Sequence, residues 1–282
     1  MPVRPPPSVL SDELAPLLDE QVTSALSQPL TGRSASDGIR NRLSKRIATS
    51  LRELAPMITV RAQQCPAISI ETGVVARELY RAKDVPLRPG EPIQVLLIDM
   101  AANAVFRTDQ LPMVRAGLVH IEWLVIRGDA QVDGISLSQR DFHVTPPGWP
   151  AATWSSAAPA RLFVRRSPAV ADELPLSSPL TVTDSEAGWP QFAPGIKRRV
   201  LWQRGHQASM LYYAEPGLHV PQHRHGHDEE CLMLQGDLFL DDQLLQTGDY
   251  QLAPAGTGHR RTETDTGAVI FAHGDLNLDF VG

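Results

Sequence analysis

The sequence predicts a mainly β protein, two related domains in tandem behind a short α-helical segment, and three observations carry that prediction. Runs such as residues 94–98 (QVLLI) and 209–213 (SMLYY) read as strands, with turn residues at Gly128-Asp129, Asp133-Gly134, Asp241-Asp242 and Gly248-Asp249 between them. Part of the chain recurs further along it at a constant offset. Residues 9–55 instead place apolar side chains at helical spacing.

In that helical segment, Leu10, Leu14, Leu17, Leu18, Val22 and Leu26 share one face, with Ser11 and Asp12 as cap residues. Ile39, Leu43, Ile47 and Leu51 then recur at every fourth position, with Arg40, Arg42, Lys45 and Arg46 on the other faces. Ser36 or Asp37 is the expected cap of this second helix, Pro56 its stop, and Gly32-Arg33-Ser34 the join.

The repeat is legible in three places. Residues 122–129 (EWLVIRGD) align with 230–237 (ECLMLQGD), an offset of 230 − 122 = 108. Asp141-Phe142, Pro146 and Gly148 align with Asp249-Tyr250, Pro254 and Gly256, and Ala160-x-Leu162-Phe163 with Ala268-x-Ile270-Phe271, in the same register. Upstream the register slips to 195 − 73 = 122, where Gly73-Val74 and Leu79-Tyr80 match Gly195-Ile196 and Leu201-Trp202. A repeat of this length is a domain rather than a solenoid unit. The expected organisation is a helical segment over residues 1–64, a first domain over 65–170, a Pro- and Ser-rich surface linker over 171–190, and a second domain over 191–282.

Chemistry concentrates in the second domain. His223 and His225 stand two apart, so on a strand both side chains face one side. Glu229 opens the next strand, and His259 must arrive from a partner strand. Three imidazoles and one carboxylate suit Zn, Fe, Mn, Ni or Cu and leave coordination positions open. Strand parity sends Glu229, Cys231 and Met233 inward, and Glu230, Leu232 and Leu234 outward, where the apolar pair needs cover from the other domain or a second copy. Cys231 is then a small buried hydrophobe or a redox-sensitive thiol near the ion. His219 and His227 read as loop residues, His206 and His273 as ordinary loop or strand histidines. Carried back by 108, the four ligand positions become Arg115, Gly117, Ile121 and Ala151, so the first copy keeps no ligand. His120 and Glu122 do not rebuild a site there, and Trp149 and Trp154 are expected to fill the space.

These residues resemble the cupin superfamily. Gly217, His223-x-His225, Glu229 and Gly236 match its first motif, and Gly248, Pro254-x-Gly256 and His259 its second, with Glu263 standing where the family usually has Asn. The resemblance implies two jelly-roll β-barrels, with the metal inside one end of the second. The helix-led arrangement, and residues 59–64 leading to Gly73-Val74, resemble the ChrR family, in which an anti-sigma helical domain precedes a cupin lid. That family's helical domain holds zinc through histidine and cysteine, and residues 1–64 contain neither.

Composition narrows the rest. A net charge of −6 gives no basic footprint for direct nucleic-acid binding. No apolar run approaches the ~20 residues of a membrane helix. The amino terminus lacks the apolar core of a secretory signal. Two cysteines without a CxxC exclude a disulfide scaffold, and a cytoplasmic location is expected. No P-loop, nucleophile elbow or dinucleotide fingerprint is present.

The function expected is that of a metal-binding, ChrR-like regulatory protein that senses a ligand or oxidant through one divalent transition metal per chain, zinc first, with Fe, Mn or Ni as alternatives. The alternative is an iron-dependent dioxygenase acting on a small organic substrate such as a diketone; a sugar isomerase lacks an acid–base pair beyond the ligands. Expected partners are a small-molecule ligand, a sigma factor for the helices and a second copy of the chain. In a catalytic reading Tyr212, Cys231, Met233 and Arg260 are the neighbours of the pocket.

Overall fold

The computed structural model describes residues 33–54, 56–83, 87, 90–112, 119–169, 176–184 and 188–281. The chain divides into two compact units, Met1–Arg52 and Glu53–Gly282. The expected first helix lies outside the described residues. The second is a helix from Arg33 to Leu54, two residues short of Pro56. Ser36 and Asp37 lie inside it rather than at its cap, and Arg33-Ser34 opens the helix instead of joining two. Ile39, Leu43 and Ile47 are exposed along it.

The larger unit holds two jelly-roll barrels in tandem, as the repeat requires. In the first, a seven-stranded sheet runs in the order Leu180–Val182, Phe142–Thr145, Val119–Arg127, Ala160–Pro168, Gln94–Met100, Val74–Arg81 and Ala67–Glu71. In the second, the main path runs Ile58–Arg61, Asp249–Ala253, Glu229–Leu240, Ala268–Asp275, Gln207–Ala214, Ile196–Arg204 and Gln191–Ala193. Gly128, just after the strand Val119–Arg127, and Gly236, inside the strand Glu229–Leu240, are equivalent positions of the repeat, both at positive φ. A Cβ at either would strike the carbonyl oxygen of Pro159 or Gly267, again 108 apart, so only glycine fits there.

Two expectations about boundaries change here. Ile58–Arg61, placed in the helical segment, is a strand paired antiparallel to Asp249–Ala253 of the second barrel. Leu180–Val182, expected as surface linker, pairs with Phe142–Thr145 of the first. The segment leading into each barrel therefore completes the sheet of the other. Ile58 sits opposite Leu252, and Leu180 opposite Val144. Those positions differ by 180 − 58 = 122 and 252 − 144 = 108, the two offsets of the repeat. Arg61 anchors its strand by an ion pair to Asp249.

The two main sheets share an apolar layer. Val95, Leu97, Leu124 and Phe163 of the first barrel meet Leu211, Leu232, Leu252 and Phe271 of the second. The rings of Phe163 and Phe271, equivalent positions of the repeat, lie 4.9 Å apart. Each such side chain taken fully from water contributes roughly 1.5–3 kcal/mol. Leu232 is fully buried and Leu234 packs against the layer, so the outward apolar pair is covered by the other barrel.

A charged group is enclosed in that layer. Arg165, 1 % exposed, donates to Glu122 at 2.7 Å and also to its repeat counterpart Glu230. Ser209 donates to Glu122, and the Tyr250 hydroxyl to Glu230 at 2.7 Å. Burial works against the charge of Arg165, but the two carboxylates outweigh it and hold its pKa up. Burial pushes the Glu230 carboxyl up against the pull of Arg165. His273, expected to be an ordinary strand residue, belongs to this group through Ser209 at 3.0 Å, and burial drives its pKa well down, so it is neutral.

Arg165→Met would leave two buried carboxylates without a cation. It is expected to cost about 3–5 kcal/mol, read as a lower urea midpoint. Arg165→Met combined with Glu122→Met and Glu230→Met is expected to recover most of that loss, because the desolvated charges go together. Equal destabilisation in the single and triple variants would contradict this.

Candidate metal centre

The expected ligands converge at one end of the second barrel. His223 lies in the two-residue strand His223–Arg224, paired on one side with Gly258–His259 and on the other with Asp279–Phe280. This register sets His223 directly opposite His259. Gly258 permits the approach, since a Cβ there would run into the His223 carbonyl oxygen. Glu229 opens the long strand Glu229–Leu240 beside Asp249–Ala253.

His223, His225 and Glu229 offer ligand atoms all within 4.8 Å of one another, and no other such group occurs among the described residues. Donors ~2.1 Å from one ion span at most about 4 Å, so a small side-chain adjustment would close the set. His259 stands outside that group of three, but its ring centroid lies 4.9 Å from that of His225 and 5.6 Å from that of His223. All three imidazoles are buried, and Glu229 is partly so.

The outer contacts fix which nitrogen faces inward. His223 Nδ1 lies 3.1 Å from the Pro221 carbonyl oxygen, which can only accept. His225 Nδ1 lies 3.3 Å from Thr257 Oγ1, whose own proton goes to the Pro254 carbonyl at 2.6 Å. His259 Nδ1 lies 3.4 Å from the Asp241 carboxylate. Each Nδ1 therefore carries the proton, and each Nε2 keeps a lone pair for a cation. His225 Nε2 is buried without a hydrogen-bond partner, and Glu229 Oε1 lies 3.4 Å from it. Such an orphaned acceptor fits a cation. Burial also lowers the His225 pKa, which keeps the ring neutral and able to ligate.

Asp241, Thr257 and Pro221 escape sequence reasoning as orienting groups. Asp241 sits in a tight turn at φ 55°, and its carboxylate also accepts from the Arg260 and Arg261 amides at 3.0 and 3.2 Å. Burial raises its carboxyl, yet the hydrogen bonds from His259 and the Arg260 amide outweigh this and hold it below the usual range. The repeat carried the signal: Asp133, 108 earlier, has φ 46° and accepts from the Thr153 amide at 2.8 Å. Asp241 keeps that turn and adds a histidine where the first barrel has Ala151.

Other histidines stay outside the cluster. His227 bonds Asp275, His219 is exposed beside Glu263, and His206 is exposed. Glu230 points away, into the layer between barrels. Tyr212 and Cys231 line the cavity next to the ligands, whereas Met233 packs beneath it and Arg260 is exposed. Burial, and then the Glu229 charge, push the Cys231 thiol up, so it stays protonated.

In the first barrel Ile121 packs against the apolar core and Ala151 offers no donor; Arg115 and Gly117 lie outside the described residues. Trp154 is fully buried as expected, but Trp149 is 43 % exposed, and the second filler is Trp123.

Comparison with known proteins follows the same lines. The model of the ChrR cupin-like domain family matches residues 177–277. No curated protein sequence matches the chain. Among solved structures, a candidate dioxygenase from Nostoc punctiforme is similar with a TM-score of 0.61 at 14% identity, over 80% of this chain and 87% of that one. An oxalate decarboxylase from Lactobacillus farciminis, in complex with formate, gives 0.57 at 12% identity over 80% and 88%. A Bacillus subtilis oxalate decarboxylase, described for its Mn(II) centres, gives 0.55 at 14% identity over 77% of both chains. On this match the second barrel is assigned to the cupin superfamily, and the chain as a whole shares the fold of these solved structures.

Proposed function

We propose that the second barrel binds one divalent transition metal through His223, His225, Glu229 and His259, and that the metal presents open coordination positions to a small-molecule ligand whose binding the protein senses. The observation that carries this is the tautomer pattern: three Nδ1 protons are taken up by outer acceptors, and His225 Nε2 is left buried and unpaired. When bound, the metal supplies Lewis acidity and a template for an oxygen donor. The protein's residues hold and orient it and exclude water. Zinc is the first identity by donor type, with Fe, Mn and Ni as alternatives.

Binding is favoured over acid–base catalysis by what surrounds the ligands. The ionisable groups lining the cavity beyond the donor set are Tyr212 and Cys231. Burial raises both, with Glu229 adding to the effect, so neither supplies a general base near neutrality. Oxidant sensing by a Cys231 thiolate is disfavoured for the same reason. An iron-dependent dioxygenase is the second reading, because oxygen chemistry needs open metal positions rather than an acid–base pair. The fold likeness to a candidate dioxygenase supports keeping it. A sigma-factor partner is a separate proposal, supported by the exposed Ile39, Leu43 and Ile47 of the helix. It is tested by co-purification with and without residues 1–54.

Protein purified without added metal is expected to carry about one equivalent of a divalent ion by elemental analysis. The double change His223→Ala and His225→Ala is expected to abolish it, and full retention of metal would overturn the proposal. Asp241→Asn, which weakens the acceptor behind His259, is expected to lower metal affinity roughly 10–100-fold while leaving the unfolding transition of the metal-free protein nearly unchanged. Zinc with no oxygen uptake on a diketone panel is the expected result. Iron together with substrate-dependent oxygen consumption would establish the dioxygenase reading instead.

A further inference from the structure

The second barrel encloses a cavity that the metal donors occupy only at one end. Its volume is about 140 Å³, close to the ~150 Å³ of an engineered apolar cavity that takes up benzene. Away from His223, Glu229 and His259 the wall is mostly apolar, with aliphatic Met210, Leu240 and Ile270 beside aromatic Phe192, Tyr212 and Phe280.

The repeat explains why this space exists. In the first barrel Trp123 and Trp154 are fully buried with ring centroids 4.5 Å apart. Their counterparts 108 residues on are Cys231 and Thr262, and both line the cavity. The equivalence is structural as well as sequential. Trp154 sits opposite Val132, and Thr262 opposite Leu240, the same offset in both strands. Two indoles have given way to a thiol and a hydroxyl, in a barrel of the same construction.

The chemistry of the wall limits what can enter. Among the described residues no lysine or arginine lines it. Arg198 reaches the Tyr212 side chain from outside the lining, and its guanidinium lies 4.0 Å over the Phe192 ring and donates to the Leu276 carbonyl oxygen. Thr262 Oγ1 is buried without a hydrogen-bond partner, a spare group in the wall for a ligand atom. A second anionic group deep in this cavity would lose its water and meet no cation.

We infer that the ligand of this site is a compact molecule with one oxygen-donor head for the metal and an uncharged apolar body about the size of a benzene ring. The head rests on the proposed metal; the body rests on the cavity alone. A small dicarboxylate is disfavoured.

A series of carboxylates with a constant head separates the two parts. Binding of acetate, benzoate and succinate to the zinc-loaded full chain is measured by calorimetry. Benzoate is expected to bind on the order of 100-fold tighter than acetate, as burial of a ring implies, with a negative heat-capacity change. Succinate, whose tail ends in a charge, is expected to gain nothing over acetate. Thr262→Trp, which copies the first barrel, is expected to remove the benzoate gain at unchanged zinc content. Ala272→Leu serves as an independent filling variant, and Met210→Ala is expected to extend acceptance to 4-tert-butylbenzoate.

Equal affinities for benzoate and acetate, or tighter binding of succinate, would overturn the inference. Toluene uptake, followed by NMR in the His223→Ala, His225→Ala double variant, tests the cavity without metal. Toluene binding in the double variant, with no zinc taken up by the unmodified chain, would sink the metal reading and the head while sustaining the apolar body. No toluene binding in the double variant, with zinc held normally by the unmodified chain, would sink the body alone.

Discussion

Over residues 229–233, ahead of the β-bulge in the strand Glu229–Leu240, successive side chains point to opposite faces, and that alternation couples the candidate metal centre of the second barrel to its contact with the first. Glu229 and Cys231 face the cavity, while Glu230 and Leu232 enter the layer between barrels. A shift of one residue in register would exchange the two sets. It would put the Glu229 carboxylate into the apolar layer and the partner of Arg165 into the cavity. The register of this strand is therefore fixed from both sides. The ion pair behind Glu229 and the exchanged strand Ile58–Arg61 beyond Asp249–Ala253 hold the donor in place without touching it.

The same argument explains how two copies of one barrel come to differ. Both keep the turn carboxylate, Asp133 or Asp241, and both keep the positive-φ glycine, Gly128 or Gly236. One fills its interior with Trp123 and Trp154. The other leaves that volume empty and places imidazoles at its mouth. A filled barrel offers a stiff sheet to pack against, and the emptied one accepts the cost of a cavity. That division leaves the first barrel filled and the second with the cavity and the candidate ligands.

Much of this was legible in the residues alone. The donor spacing, the repeat at 108, the outward course of Glu230 and Leu232 and the loss of donors from the first copy follow from strand parity and alignment. The exchanged strands were not legible. Ile58–Arg61 is four residues long and Leu180–Val182 three, too short for a pattern, and their partners lie far off in sequence. The slip from 108 to 122 was a trace of them, since it marks equivalent lead-in segments. Trp149 was misplaced because adjacency to a ligand position does not say which way a loop residue points, whereas Trp123, on a strand, had a parity that could be read. The orienting contacts of Asp241, Thr257 and Pro221 depend on turn geometry, which spacing does not encode.

The buried charges between the barrels have a reason in the pseudo-symmetry. Glu122 and Glu230 are equivalent residues, so facing the two sheets brings their carboxylates close together. The residues at the matching cation position are Arg165 and His273. A second arginine would balance the charge, but it would add a large side chain to a layer already occupied by Phe163 and Phe271. Neutral His273, joined through Ser209, meets the hydrogen-bonding need in less space, and Tyr250 supplies the remaining donor. A single guanidinium then bridges both copies, and it can do so only when the two sheets meet in one relative register. An all-apolar layer would tolerate sliding, and sliding would move the strand that carries Glu229. The ion pair thus bears on the position of Glu229 as well as on the stability of the fold.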